Sequence, residues 1–114
     1  MIDHAHLNSL IQLIGKDTMN DIRLEFITDS QEKMALLFQA WDNEDYDTIK
    51  NIGHSLKSAS LNMALRRLAE QFQQIERLAA QHNKQDMQVI MDHLPALHQA
   101  SLKELDELFL NGLN

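Results

Sequence analysis

Among the six histidines of the chain, His54 has the surroundings that could do chemistry. Ile49, Ile52, Leu56, Ala59 and Met63 step by 3, 4, 3 and 4 residues, the signature of an amphipathic helix. At roughly 100° per residue from Ile49, this apolar stripe averages about 320° and His54 falls near about 140°. His54 is therefore expected on the solvent side of a helix, where helix propensity gives no reason to choose histidine. Lys50 lies one turn before it, Lys57 and Ser58 one turn after, and Leu61 two turns after on the same side. An imidazole between two ammonium groups stabilises little, but an uncharged ring offers a free lone pair, as a nucleophile must. Flanking cations suit an anionic transfer group such as phosphoryl.

The charge pattern points to the same region. Ten Lys and Arg against seventeen Asp and Glu leave the chain at −7. Residues 1–49 carry −7, residues 50–77 carry +3 and residues 78–114 carry −3. The segment around His54 is thus the one basic stretch of an acidic chain. Such a balance argues against a general nucleic-acid binder, which needs a basic face to release counterions.

The remaining candidates are weaker. His4 and His6, and His93 and His98, lack the i, i+3 or i+4 spacing of a helical metal pair. His82 reads as a charge near a helix C-terminus. Met19, Met34, Met63, Met87 and Met91 fall among apolar stripes and read as core filling. Residues 42–47 are acidic but not spaced as a calcium loop. Ser, His and Asp are all present without a nucleophile-elbow sequence to join them.

The elements that must position His54 are helical throughout. With 114 residues, three Gly, one Pro and no Cys, the chain fits one domain over 1–114, without a disulfide framework or a many-turned fold. A short helix carrying Leu7, Leu10, Ile11 and Ile14 ends at Gly15. Asp17 is expected to cap the second helix, whose inner stripe runs through Met19, Ile22, Phe26, Ser30, Leu37 and Trp41. Asp45 caps the third. The fourth carries Leu65, Leu68, Phe72, Ile75 and Ala79 and breaks at His82-Asn83-Lys84. In the fifth, Pro95 predicts a kink or a restart. The turn at 62–64 is so short that the third and fourth helices must form a hairpin. The expected fold is all-α, an antiparallel four-helix bundle with a short additional N-terminal helix.

His54-Ser55-Leu56-Lys57-Ser58-Ala59-Ser60, followed by Met63-Ala64-Leu65 and Leu68, resembles the signature of histidine-phosphotransfer (HPt) domains. That signature is His-x-Leu-Lys-Gly with small residues after it, then an apolar-Gly pair and a second amphipathic helix. The likeness extends over nearly the whole chain, through Gly15, Phe26 and Asp45-Tyr46. It implies that His54 accepts a phosphoryl group from the aspartyl phosphate of a receiver domain and passes it to another receiver. Lys57 would neutralise the phosphoryl oxygens, and Lys50, Ser58 and Leu61 would contribute to receiver docking. Glu76 matches the position in the fourth helix from which the family orients the imidazole Nδ1. Residues 54 and 76 are each eleven from Leu65, so hairpin geometry agrees if His54 tilts toward that helix. Ser58 and Ala64 depart from the family's two glycines. Ala64 is strained if its position requires φ > 0.

The partners implied are the receivers of a hybrid sensor kinase and of a response regulator. Mg²⁺ is expected on the receiver, with no cofactor on this chain. The chain lacks the length and glycine-rich motifs of an ATP-binding kinase domain. No apolar run approaches the roughly 18 residues of a membrane span, and the N-terminus lacks a signal-peptide layout. A cytoplasmic monomer is the expectation. The alternative is an acidic helical adaptor that binds its partner through 50–77 without phosphoryl chemistry. A metal-binding bundle is a third reading, for which too few Glu and His fall on the apolar stripes.

Overall fold

The structure, a computed structural model, describes residues 2–111. The expected domain of 1–114 also takes in Met1 and residues 112–114, which lie outside the described residues. Five helices account for nearly all of the described chain: α1 (His4–Ile14), α2 (Lys16–Asp42), α3 (Tyr46–Asn62), α4 (Arg66–Ala80) and α5 (Lys84–Leu110). Local chemistry explains most of their ends. The Asp3 carboxylate accepts from the His6 N–H at the start of α1. Asp45 accepts from the Thr48 N–H at the start of α3, and Asn83 from the Asp86 N–H at the start of α5. Gly15, at φ +89°, ends α1 through its N–H to the Ile11 carbonyl and leads directly into α2. That junction corrects the expected cap. Asp17 lies in the first turn of α2, where a carboxylate suits the helix dipole, and Gly15 occupies the cap position without a side-chain bond. Helix α5 runs through Pro95 as one element, so the expected restart does not occur.

Helices α2 to α5 pack each against the next, α5 closes back on α2, and α1 contacts α2. Their inner faces meet in one core that includes Leu37, Ile49, Leu56, Phe72, Ile75, Met87 and Leu105. Among the described residues no helix is long and apolar enough to cross a membrane. At one end of the bundle two loops are pinned together. Tyr46 stacks on His82, ring centroids 4.6 Å apart, and Lys84 pairs with Glu44. His82 is thus a stacking partner at a loop position rather than only a helix-end charge. At the other end the N-terminal segment lies against the α3–α4 turn, with the Asp3 N–H donating to the Ala64 carbonyl over 2.8 Å.

Two polar insertions cross the α2–α5 seam. Arg23 is buried, hydrogen-bonded to Asn20, paired with Asp106 and placed over the Phe109 ring. His98 is buried with its Nε2 2.9 Å from Ser30 Oγ. Burial pushes the His98 pKa down, so the ring is held neutral.

Ala64 takes φ +57° in the α3–α4 turn, and its side chain is buried. A left-handed L-residue costs roughly 1–2 kcal/mol. Glycine would remove that cost but lose a buried methyl, about 0.8 kcal/mol, and some backbone entropy. Urea denaturation should therefore place Ala64→Gly within about 1 kcal/mol of wild type, whereas Ala64→Val, which adds β-branching at positive φ, should lose more than about 1 kcal/mol. For His98 the unfolded chain binds the proton more readily than the fold. Its contribution is full above the unfolded value near 6.5 and declines as pH falls below it. The stability advantage of wild type over His98→Gln should accordingly shrink between about pH 8 and about pH 5 in urea titrations.

Candidate functional site

The face that α3 turns inward is not the most apolar one. Its buried residues are Ile49, Gly53, Leu56 and Ser60, while Ile52 and Ala59, expected in the stripe, are only half-buried. The inward direction is thereby rotated by about 50° from the wheel built on apolar residues, leaving His54 at about 130° from the core rather than opposite it. The cause is the close approach of α4. A Cβ added to Gly53 would come within 3.5 Å of the Phe72 carbonyl oxygen, 3.6 Å of Ile75 Cγ2 and 3.7 Å of the Glu76 nitrogen. A methyl there would sit in ordinary van der Waals contact with α4.

The rotation aims His54 along the α3–α4 seam. His54 Nδ1 lies 3.0 Å from Glu76 Oε1, and Lys57 Nζ donates to Glu76 Oε2 over 3.1 Å. The His54 side chain is 62% exposed, against 22% for Glu76. Partial burial raises the Glu76 pKa, but the hydrogen bond and charge of Lys57, then those of His54, outweigh it, and the net shift is downward. An ionised carboxylate only accepts, so the Nδ1 atom facing it carries the hydrogen, and in the neutral ring Nε2 then keeps its lone pair.

The structure thus brings His54, Lys57 and Glu76 into one bonded cluster. Lys57 is held by Glu76 rather than extended freely beside the ring. Lys50 is exposed and lines an open groove with Lys57 and Glu76. Ser58 and Leu61 are exposed farther along α3 and make no side-chain hydrogen bond to the cluster; Leu61 retains 43% of its surface. Two neighbours escaped the sequence reading. Lys33 of α2 donates to Ser55 Oγ over 2.6 Å and pairs with Asp29. Residues 33 and 55 are each eleven from Glu44, so the symmetry that relates 54 to 76 could have found this contact too. Gly53 was passed over because it has no hydropathy to register. Among the described residues no three His, Asp or Glu gather as a metal site would require.

Comparison with protein families matches the chain to the Hpt domain over residues 21–108. That span contains every residue of the cluster. Neither the curated proteins nor the solved structures searched contain a match.

The Lys57–Glu76 bond makes a spectroscopic prediction. The Glu76 carboxyl ¹³C resonance should titrate below the ordinary glutamate range, so its bonds persist at neutral pH and are lost only as pH falls through that lowered value. Lys57→Met should move the midpoint upward; an unmoved midpoint would show that Lys57 is not what holds the carboxylate.

Proposed function

From the premise that the chain belongs to the Hpt domain family, whose role is histidine phosphotransfer in phosphorelays, we propose that His54 is its phosphoryl acceptor. The observation that carries this reading is the His54 Nδ1–Glu76 bond beneath an exposed ring. It presents Nε2 outward as a positioned nucleophile. When a receiver's aspartyl phosphate docks, the Nε2 lone pair attacks phosphorus. The N–P bond forms, the P–O bond to the aspartyl carboxylate breaks, and that carboxylate leaves with the electron pair. Nδ1 keeps its proton, so the phosphorylated ring is cationic, and the Glu76 carboxylate stabilises the charge where it develops. Transfer to a second receiver is the same exchange in reverse.

Lys57 supplies a point charge for the phosphoryl oxygens once its ammonium swings from Glu76 toward them. Lys50, Ser58 and Leu61 belong to the docking face. The receivers of a hybrid sensor kinase and of a response regulator are the partners of this reading, and they bring the Mg²⁺. The protein acts as a monomeric cytoplasmic phosphocarrier and does not use ATP itself.

The test is incubation with receivers phosphorylated on aspartate, followed by recovery of acid-labile, base-stable label. Wild type should be labelled and His54→Gln should not. Glu76→Ala should still be labelled, but about 10–100-fold more slowly, as is usual when the group orienting a functional imidazole is removed. Equal label on wild type and His54→Gln would refute His54, and none on either across several receivers would favour an adaptor without phosphoryl chemistry.

A further inference from the structure

Helix α3 is flanked by two grooves of opposite charge. On the α4 side, an open groove of about 620 Å³ is lined by Lys50, Lys57, Gln73, Gln74, Glu76 and Arg77. Lys57 and Glu76 neutralise each other, and Glu70, which also lines the groove, is tied to Arg66. Lys50 and Arg77 make no ion pair among the described residues. The groove therefore offers two uncompensated cations and two side-chain amides to whatever enters it. On the α2 side, a groove of about 260 Å³ is lined by Ile22, Glu25, Phe26, Asp29, Ala59 and Asn62. Asp29 is paired with Lys33, but Glu25 has no cationic partner among the described residues. The contacts fix which flank is which: Glu76 bonds to His54 from α4, and Lys33 bonds to the adjacent Ser55 from α2.

We propose that these two grooves set the polarity with which a receiver docks over His54, the α3–α4 groove taking an acidic segment of the receiver and the α2–α3 groove a basic side chain. The inference rests on the phosphotransfer reading and adds an orientation to it. A rotated receiver would place acid against Glu25 and base against Lys50 and Arg77, and like charges in contact disfavour that pose. Arg77 is thereby a specificity residue outside the bonded cluster. Its planar guanidinium, next to the Gln73 and Gln74 amides, suits a carboxylate. The overall charge of −7 would repel acidic partners at long range, so the local reversal at Lys50 and Arg77 is what admits one on this flank.

The experiment measures second-order rates of phosphoryl transfer from purified aspartate-phosphorylated receiver domains as a function of NaCl concentration. The proteins are wild type, the double variant Lys50→Glu/Arg77→Glu, its neutral counterpart Lys50→Gln/Arg77→Gln, and Glu25→Lys. All three sites are exposed, and circular dichroism checks that each variant is folded. At low salt the charge-reversed double variant should transfer about 10-fold more slowly, with the neutral one between. The gap should close at high salt, where screening shortens to about 3 Å at 1 M. Glu25→Lys should also be slower, with the same salt signature. A rate insensitive to Lys50 and Arg77 at all salt concentrations, or a faster Glu25→Lys, would overturn the proposed polarity while leaving phosphotransfer intact. Absence of label on wild type would instead refute the phosphotransfer reading, and this inference with it.

Discussion

The proposed phosphotransfer site rests on one hydrogen bond, between His54 Nδ1 and the Glu76 carboxylate. It does three things at once. On the proposed phosphotransfer reading, it sets the hydrogen of the neutral ring on Nδ1, leaves Nε2 free to attack, and offers a counter-charge to the phosphorylated ring. A second bond, from Lys57 to the other carboxylate oxygen, keeps Glu76 ionised and aimed. Everything else in the bundle can be understood as holding α3 and α4 at the register and distance these two bonds require.

Register follows from the turn. Residues 54 and 76 are equidistant from Leu65, whose N–H returns to the Ser60 carbonyl, and Ala64 accepts positive φ to make the reversal compact. Distance follows from small residues. Gly53 on the inward face of α3 lets α4 approach, with the Phe72 carbonyl, Ile75 Cγ2 and the Glu76 nitrogen all close to it, and Ser60 adds a second small residue on that face. The same residues set the rotation of α3 and hence the direction of His54. The seam that buries Phe72 and Ile75 is thus the same one across which the imidazole meets Glu76.

Much of this is legible in one dimension. Apolar periodicity marks all five helices, and Asp45, Asn83 and Gly15 stand where termini need them. The His54–Glu76 pairing follows from counting residues about a short turn. The failures share one origin, because periodicity weighs residues by hydropathy. It preferred Ile52 and Ala59 to Gly53 and Ser60, and so rotated α3 away from its true orientation. It had no means of noticing Arg23, a charged residue buried by a carboxylate and an aromatic ring from the far end of the chain. At the α1–α2 junction, Asp17 had the better side chain for a cap. Gly15 took the position because the chain passes from α1 to α2 through a single residue at positive φ, with no intervening loop.

The sequence by itself determined that the chain is helical, where its helices begin and end within a few residues, and which histidine stands among lysines on an exposed face. These are local properties, set by residue spacing, capping chemistry and charge along the chain. Only the tertiary structure decided that Lys57 is bound to Glu76 rather than free beside the ring, that Lys33 reaches Ser55 from α2, and that α3 lies between a basic and an acidic groove. Those outcomes depend on how far each helix rotates about its own axis. That angle is settled by which side chains are small enough to let a neighbouring backbone come close.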